Sequence, residues 1–122
     1  MGMPIEGALA QRTIQQRIHE DVPTCGLNED LTAAKKVASG DWNICVVGDS
    51  NRIVLGLLDL DVLKDSQGVV KDFMKPAPLT LRPGVLIDEA LMFFEQSKHT
   101  FALVTKSNGQ LIGVIRKVDF EK

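Results

Sequence analysis

Residues 101–115 read FALVTKSNGQLIGVI, and this stretch decides the fold. Two apolar runs, Phe101–Val104 and Leu111–Ile115, flank the polar segment Lys106–Gly109. An Asn-Gly pair between two β-forming runs is the strongest short-range signal for a hairpin. The stretch therefore predicts two antiparallel strands, and their unbroken apolar character is typical of strands buried on both faces.

The same pattern occurs once earlier, in residues 44–58, which read ICVVGDSNRIVLGLL. Thr24 precedes its counterpart Thr80 by 56 residues, and Gly56 precedes Gly113 by 57. A surface turn can absorb that slip of one residue. Each unit is about 45 residues long, too short to be stable alone. The two units are therefore expected to share an interface.

Helical spacing predicts one helix ahead of each hairpin. The first is expected to begin after Asn28 as N-cap, to include Ala34 and to close at Gly40. The second is expected from about Leu86 to Gln96. Its apolar face carries Ile87, Ala90, Leu91 and Phe94.

Two further helices are expected at the ends of the first unit. One runs from about Asp59 to Lys64. The other is an amphipathic helix over Ile5 to His19, with Leu9, Ile14 and Ile18 on one face. The predicted fold is mixed α/β (α+β), with tandem β-α-β-β-α repeats in pseudo-twofold symmetry behind an N-terminal helix. The expected divisions are an extension over residues 1–20, a first repeat over 21–68 and a second over 69–122, forming one compact module.

Composition limits the classes of function. The chain has 122 residues and a formal charge of −2, with basic and acidic residues interspersed, which argues against nucleic acid or a membrane surface as partner. No apolar run approaches the roughly 20 residues of a membrane span, and residues 1–9 lack signal-peptide features. Two cysteines, Cys25 and Cys45, are interpreted as reduced packing residues. These features predict a cytoplasmic protein.

Motifs for catalysis are missing from the sequence. There is no G-x-S-x-G elbow, no G-x-x-x-x-G-K-[ST] loop and no G-x-G-x-x-G fingerprint. His and Cys residues do not fall at metal-ligand spacing. The sequence therefore predicts no enzyme, no metal and no catalytic residue.

Four segments carry a family resemblance. They are Val70–Met74, Pro78–Pro83, Asp88–Leu91 and Gly113–Asp119, with weaker counterparts at Thr32–Ala34 and Gly56–Asp59. In this order they resemble the CBS domain pair, or Bateman module, over about residues 21–122. The resemblance implies a regulatory module that binds AMP, ADP, ATP or S-adenosylmethionine between the repeats, needs no other cofactor, and signals through the conformation of a homodimer.

The resemblance also implies site residues. Asp119 matches the aspartate that binds the ribose hydroxyls, and His99 falls where a basic residue faces the phosphates. Arg116 stands at the usual Ser/Thr position, from which it could bind a phosphate in bidentate fashion. Thr100 and the backbone near Ala34 complete the predicted cleft.

A second, weaker cleft is expected around Trp42, Asn43, Asp59, Thr80 and Ala90. Val62 stands where its ribose aspartate should be, and carboxylates at Asp59 and Asp61 would repel phosphate.

Plainer interpretations stay open. Asp119 could cap a helix, Arg116 could be a solvated charge, His99 an exposed helix-exit residue and Trp42 a packing residue. At the level of function, the alternatives are a ligand-free CBS dimerisation or protein-interaction module, and Mg²⁺ sensing through the Asp59/Asp61 edge. The expected partners are a second copy of the chain, an adenine-containing small molecule and a regulated enzyme or transporter.

Overall fold

The structure, a computed structural model, describes residues 12–38, 42–76 and 80–120. Its strands are β1 (Thr24–Cys25), β2 (Ile44–Gly48), β3 (Val54–Asp59), β4 (Thr80–Leu81), β5 (Phe101–Thr105) and β6 (Leu111–Arg116). Its α-helices are α1 (Leu31–Val37) and α2 (Ile87–Ser97). Single 3₁₀ turns lie at Ile14–Arg17, Val70–Asp72 and Lys117–Phe120. The mixed α+β class and the tandem repeat are confirmed.

Both repeats build the same three-stranded sheet. In the first, β1 pairs parallel with β2, and β2 pairs antiparallel with β3. In the second, β4, β5 and β6 repeat this arrangement. Parallel neighbours need a crossover connection, and α1 and α2 lie in those two connections. The predicted hairpin closes through Gly109, whose φ of 90° suits a residue without a Cβ atom.

Alternation along β2 explains its unbroken apolar sequence. Cys45 and Val47 lie in the core cluster that contains Leu31 and Ala34 of α1. Ile44, in contrast, lies in a central cluster between the two sheets. Successive side chains of a strand point to opposite faces, so this strand is buried on both.

The central cluster joins the repeats. It contains Val22, Ile44, Val46 and Leu57 from the first and Leu103, Leu111 and Val114 from the second. All are buried, and each such side chain contributes roughly 1.5–3 kcal/mol on burial. The repeats therefore share a core, as their short length requires.

The segment before each repeat pairs with the sheet of the other repeat. His19 pairs with Val114 of β6, and Lys75 pairs with Leu57 of β3. Glycine is required at each crossing. A Cβ on Gly113 would meet the carbonyl oxygen of His19, and one on Gly56 would lie 2.8 Å from that of Lys75.

Three predictions about local structure are wrong. Asp30, not Asn28, caps α1, since its Oδ1 accepts from the Thr32 amide at 3.3 Å. Residues 60–65 form hydrogen-bonded turns instead of a helix. Here the amide of Leu63 donates to the carbonyl of Asp59 at 3.1 Å, but the pattern does not continue.

The N-terminal helix is the third correction. Of the expected helix, the structure describes residues 12–19. In that stretch only Ile14–Arg17 is helical, and it forms a 3₁₀ turn. The chain leaves it extended at Ile18 because the backbone of His19 is hydrogen-bonded to β6. Residues 5–11 of the expected helix, including Leu9, and the expected closure at Gly40 lie outside the described residues.

Cys25 and Cys45 are free and buried. No helix within the described ranges is long and apolar enough to cross a membrane.

Candidate ligand-binding cleft

A cleft of about 550 Å³ opens where the two repeats meet. It is lined by Trp42, Asn43, Ile44, Thr100, Phe101, Arg116, Lys117 and Val118. Asn43 and Thr100 are equivalent positions of the two repeats, and so are Ile44 and Phe101. We therefore call it the axial cleft.

Strand ends position the polar groups of this cleft. Trp42 and Asn43 directly precede β2, and Thr100 directly precedes β5. Arg116 is the last residue of β6 and pairs with Phe101. The amide of Lys117 donates to the carbonyl of Thr100 at 2.8 Å, which holds the two chain segments together at the cleft.

Arg116 contains the least satisfied polar atom of the site. Its guanidinium carbon lies 5.1 Å from the ring centroid of Trp42, a cation–π distance. Its Nε is buried and, among the described residues, has no hydrogen-bond partner. The nearest carboxylate oxygen, Oδ2 of Asp119, is 3.5 Å away, an ion pair without a hydrogen bond.

Asp119 is held by the segment that precedes the first repeat. Its Oδ2 lies 2.6 Å from Nε2 of His19, and its backbone carbonyl accepts from Nη1 of Arg17 at 2.5 Å. Burial, the largest influence, raises the pKa of Asp119. The hydrogen bond and charge of His19, with the charge of Arg116, outweigh it and hold the pKa below its usual value.

The ring of His19 also meets Trp42 edge-on, with 5.8 Å between centroids. His19, Trp42, Arg116 and Asp119 thus contact one another in a closed loop, which we call the His19 cluster. The cluster brings together the preceding segment, the first repeat and the second repeat.

The two halves of the axial cleft differ in charge. Arg116 and Lys117 follow or end β6, whereas the equivalent positions at the end of β3 hold Asp59 and Leu60. Asp61 lines a neighbouring cavity of the first repeat and accepts a hydrogen bond from Asn43, a residue of the axial cleft, at 3.2 Å. An anionic group is therefore favoured on the second-repeat side alone.

Four of the predicted site residues come together in the axial cleft. Thr100 and Arg116 lie there as expected, but Trp42 and Asn43, assigned to the weaker cleft, line the same cavity. Asp119 lies beside it in a shallow groove of about 410 Å³. His99 does not line the axial cleft, and its ring lies 5.8 Å from that of Phe93.

The remaining predicted residues lie elsewhere. Ala34 and Ala90 are fully buried in the core clusters of their repeats, so their side chains offer no surface to a ligand. Thr80 pairs with Leu103 inside the second sheet. Oδ1 of Asp59 accepts from the amide of Val62 at 3.4 Å.

Sequence reasoning missed His19, Arg17 and Lys117. A signal existed for His19, because the offset of 56 residues continues backwards from Thr24 and Thr80. It places Ile14 opposite Val70 and His19 opposite Lys75. Interpreting residues 5–19 as a helix concealed that relationship.

Metal ligands do not gather in this site. In the part of the chain that the structure describes, no three His, Cys, Asp or Glu side chains are placed to hold an ion together. A separate cavity of about 300 Å³ lies near the β2–β3 turn. Its carboxylates serve the local backbone, since Glu29 accepts from Gly26 and Asp49 from Asn51 and Ile53.

Comparisons with known proteins agree with this architecture. The family model described as the CBS domain matches residues 70–121. No curated protein sequence matches the chain.

Three solved structures are similar in fold. CBSX2 in complex with AMP has a TM-score of 0.73 at 17% identity, over 88% of this chain and 92% of that one. The CBS domains of a transcriptional regulator from Streptococcus pneumoniae have a TM-score of 0.73 at 15% identity, over 89% and 96%. The soluble part of a magnesium transporter has a TM-score of 0.78 at 15% identity, over 95% and 49%. This chain thus spans about half of the transporter structure.

Two pseudo-symmetric β-α-β-β units around a shared core and an axial cleft define a tandem-repeat α+β module. The CBS domain model matches the second repeat, and the fold of the chain is similar to that of solved CBS-domain structures. CBS domains are regulatory modules.

Proposed function

We propose that this chain is a regulatory module that binds one adenine nucleotide in the axial cleft. The observation that carries the proposal is the buried Nε of Arg116, which has no hydrogen-bond partner among the described residues. A buried unsatisfied donor costs about 1–3 kcal/mol. A phosphate oxygen would satisfy it with a charge-assisted hydrogen bond.

The charges of the cleft favour a phosphate on the second-repeat side. Arg116 and Lys117 line that side of the cleft, and the hydroxyl-bearing Thr100 lies next to them. Asp61 on the first-repeat side would repel a second phosphate. The proposed stoichiometry is therefore one nucleotide for each chain.

The sugar is proposed to bind Asp119. Its carboxylate is ionised near neutral pH, because its pKa lies below the usual value, and it can accept hydrogen bonds from both ribose hydroxyls. Asp119 follows Arg116 by three residues, with 3.5 Å between the charged atoms. Phosphate and ribose of one nucleotide can therefore be held by neighbouring groups. His99 stays a predicted phosphate contact, which its ring would reach only by leaving Phe93.

The proposed signal is a change in how the two repeats are arranged, since residues of both repeats line the same cleft. Trp42 and Asn43 come from the first repeat, and Thr100 and Arg116 from the second. A ligand between them favours the conformations in which the repeats lie at one fixed distance. We propose that a homodimer of these modules passes this preference to a regulated enzyme or transporter in the cytoplasm. S-Adenosylmethionine is the weaker ligand candidate because it carries no phosphate for Arg116.

The test is a thermal-unfolding series with AMP, ADP, ATP and S-adenosylmethionine. A ligand at 100 times its dissociation constant adds about 2.7 kcal/mol, a rise of roughly 10 °C for a domain of this size. We expect a nucleotide at this concentration to raise the unfolding temperature of the wild type about three times as much as that of Arg116→Met. The control is Lys106→Met, a change in the exposed β5–β6 turn. No shift with any of the four compounds would refute the nucleotide proposal.

A ligand-free interaction module is the second candidate. Asp119 is already paired with His19, and large apolar side chains are exposed on both helices, with Val37 of α1 55% and Met92 of α2 56% accessible. Sedimentation equilibrium tests whether this exposed apolar surface forms a homodimer. If it forms the dimer, Val37→Glu with Met92→Glu will give monomers, while Lys106→Glu will leave the dimer intact.

A further inference from the structure

We infer that His19 is a gating residue, whose imidazole occupies the Asp119 carboxylate and must be displaced when a ligand binds there. This inference rests on the proposed function, because Asp119 is the proposed ribose contact. Nε2 of His19 lies 2.6 Å from Oδ2 of Asp119, a shorter distance than that between Oδ2 and Arg116. A ribose diol and this imidazole would compete for the same oxygen.

The His19 cluster stands between two cavities. The axial cleft contains Trp42 and Arg116, and the shallow groove contains His19 and Asp119, while Val118 lines both. A ligand that contacts Arg116 with its phosphate and Asp119 with its sugar must extend from one cavity into the other. The His19–Asp119 contact lies on that path.

Only the side chain of His19 has to move. Its amide donates to the carbonyl of Val114 at 2.8 Å, and its carbonyl accepts from the amide of Val114 at 3.0 Å. These bonds fix the backbone irrespective of the side chain. The imidazole is 31% exposed, so a rotation about χ1 and χ2 can carry it into solvent. In doing so it gives up its contact with Asp119 and its edge contact with Trp42.

The first repeat offers an internal comparison. Lys75 is the equivalent of His19, and its backbone makes the same pair of hydrogen bonds, to Leu57 at 2.9 and 2.8 Å. The equivalent of Asp119 is Val62, which is 64% exposed and has no carboxylate to occupy. The histidine contact therefore occurs on the one side of the module where a ribose-binding carboxylate is available.

Displacing the imidazole lowers the observed affinity. When the binding-competent arrangement is only partly populated, the apparent dissociation constant rises by the inverse of its population. For a partly exposed ion pair the effect is modest, on the order of fivefold. Removing the imidazole should therefore tighten binding without adding any contact to the ligand.

Calorimetric titration of wild type, His19→Ala and Gln16→Ala with AMP and ATP tests the gate. Gln16 lines the same groove and is exposed, whereas the Asp119 carboxylate pairs with His19 and Arg116, so Gln16→Ala is the matched control. We expect His19→Ala to bind the nucleotide about fivefold more tightly than wild type, and Gln16→Ala to match wild type. Equal or weaker binding by His19→Ala would overturn the gate while leaving the proposed function standing. Loss of binding in all three proteins would instead refute the proposed function, and the gate with it.

NMR of the wild-type protein tests the displacement of His19 without relying on the His19→Ala variant, whose folding could differ. The ring ¹⁵N resonances of His19 in the wild type should move on saturation with nucleotide, because the imidazole leaves Asp119. The same shift should already be present without ligand in Asp119→Asn if the carboxylate is what holds the ring. Ring resonances that stay unchanged at saturation would contradict displacement.

Discussion

Ile53 and Gln110 pair with each other across the interface of the two repeats, although they are equivalent positions 57 residues apart in sequence. Two equivalent residues can face one another only at the symmetry axis, so this antiparallel bridge marks where the pseudo-twofold axis passes between the hairpins. The flanking bonds continue it, from the Val54 amide to the Gly109 carbonyl at 3.0 Å and from the Leu111 amide to the Arg52 carbonyl at 2.8 Å. The repeats are therefore joined by backbone pairing as well as by the central core.

Gly113→Val should destabilise the fold strongly. The new Cβ would meet the His19 carbonyl and would lie 2.6 Å from Cγ2 of Ile18, so the segment before the first repeat would have to leave β6. Overpacking of this kind costs about 1–3 kcal/mol, and lost backbone bonds add to it. Urea unfolding measures the change. Gly84→Ala is the control, because a Cβ atom at that position would have no neighbour within 4 Å. Equal losses of stability in both variants would contradict the close approach of His19 to Gly113.

Arg52→Gly should stabilise the protein by up to about 1 kcal/mol. Arg52 has a φ of 65° and is the equivalent of Gly109, whose φ is 90°. A left-handed conformation costs a residue with a Cβ atom roughly 1–2 kcal/mol, part of which the greater freedom of glycine in the unfolded chain offsets. The reciprocal change, Gly109→Ala, should destabilise. Chemical denaturation of both variants checks the pair, and changes of the same sign would contradict the assignment.

Asp119→Asn should lower the free energy of unfolding near neutral pH and leave it unchanged in acid. The pKa of Asp119 is lower in the folded protein than its usual value of 3.8, so its ionised form stabilises the fold. That contribution is fully present above the unfolded pKa and is lost as pH falls through the folded pKa. Unfolding free energies of wild type and variant should therefore differ at about pH 7 and converge towards about pH 3. Asp65→Asn, in the exposed turn after β3, is the matched control, and a wild-type advantage for Asp119 that persists unchanged in acid would contradict the ion pair.

Arg116→Met should separate stability from binding. Methionine loses the cation–π contact with Trp42 and the ion pair with Asp119, but it also removes a buried donor that has no hydrogen-bond partner in the described structure. These effects oppose each other, so the free energy of unfolding should change by less than about 1 kcal/mol. A charge-assisted hydrogen bond to phosphate is worth about 2 kcal/mol, so nucleotide affinity should fall about 30-fold. Denaturation and calorimetry measure the two effects. A large loss of stability with unchanged affinity would show that Arg116 serves the fold instead.

Local sequence patterns were sufficient for the strands and for α2. Ile44–Val47 and Phe101–Val104 are apolar on both faces and lead into polar turns. The structure buries each of them between the helix of its own repeat and the sheet of the other repeat. Helix boundaries were less certain, because Asn28 and Asp30 are both favoured N-cap residues. The structure begins α1 at Leu31, directly after Asp30, and there the amide of Leu31 donates to the carbonyl of Gly68. That bond depends on a distant segment, which local propensity does not describe.

The site was predictable only in part. Arg116 and Asp119 could be assigned through the family resemblance, because both lie in one short motif, Gly113–Asp119. The contact between His19 and Asp119 spans 100 residues of sequence, and it depends on where the segment before the first repeat crosses β6. The spacing of apolar residues in residues 5–19 favoured an amphipathic helix. Ile14 and Ile18 fit that helix as well as they fit the 3₁₀ turn and extended segment that the structure has. Burial of Ala34 likewise follows from the packing of α1 and not from its place in the repeat.

Calorimetric titration of the wild-type protein with AMP and with ATP tests the central claim most directly. The account predicts that at least one of them binds with a stoichiometry of one nucleotide per chain, and that Arg116→Met weakens this binding about 30-fold. Two equivalent nucleotides per chain, or no binding of either, would contradict a phosphate site confined to the second-repeat side of the axial cleft.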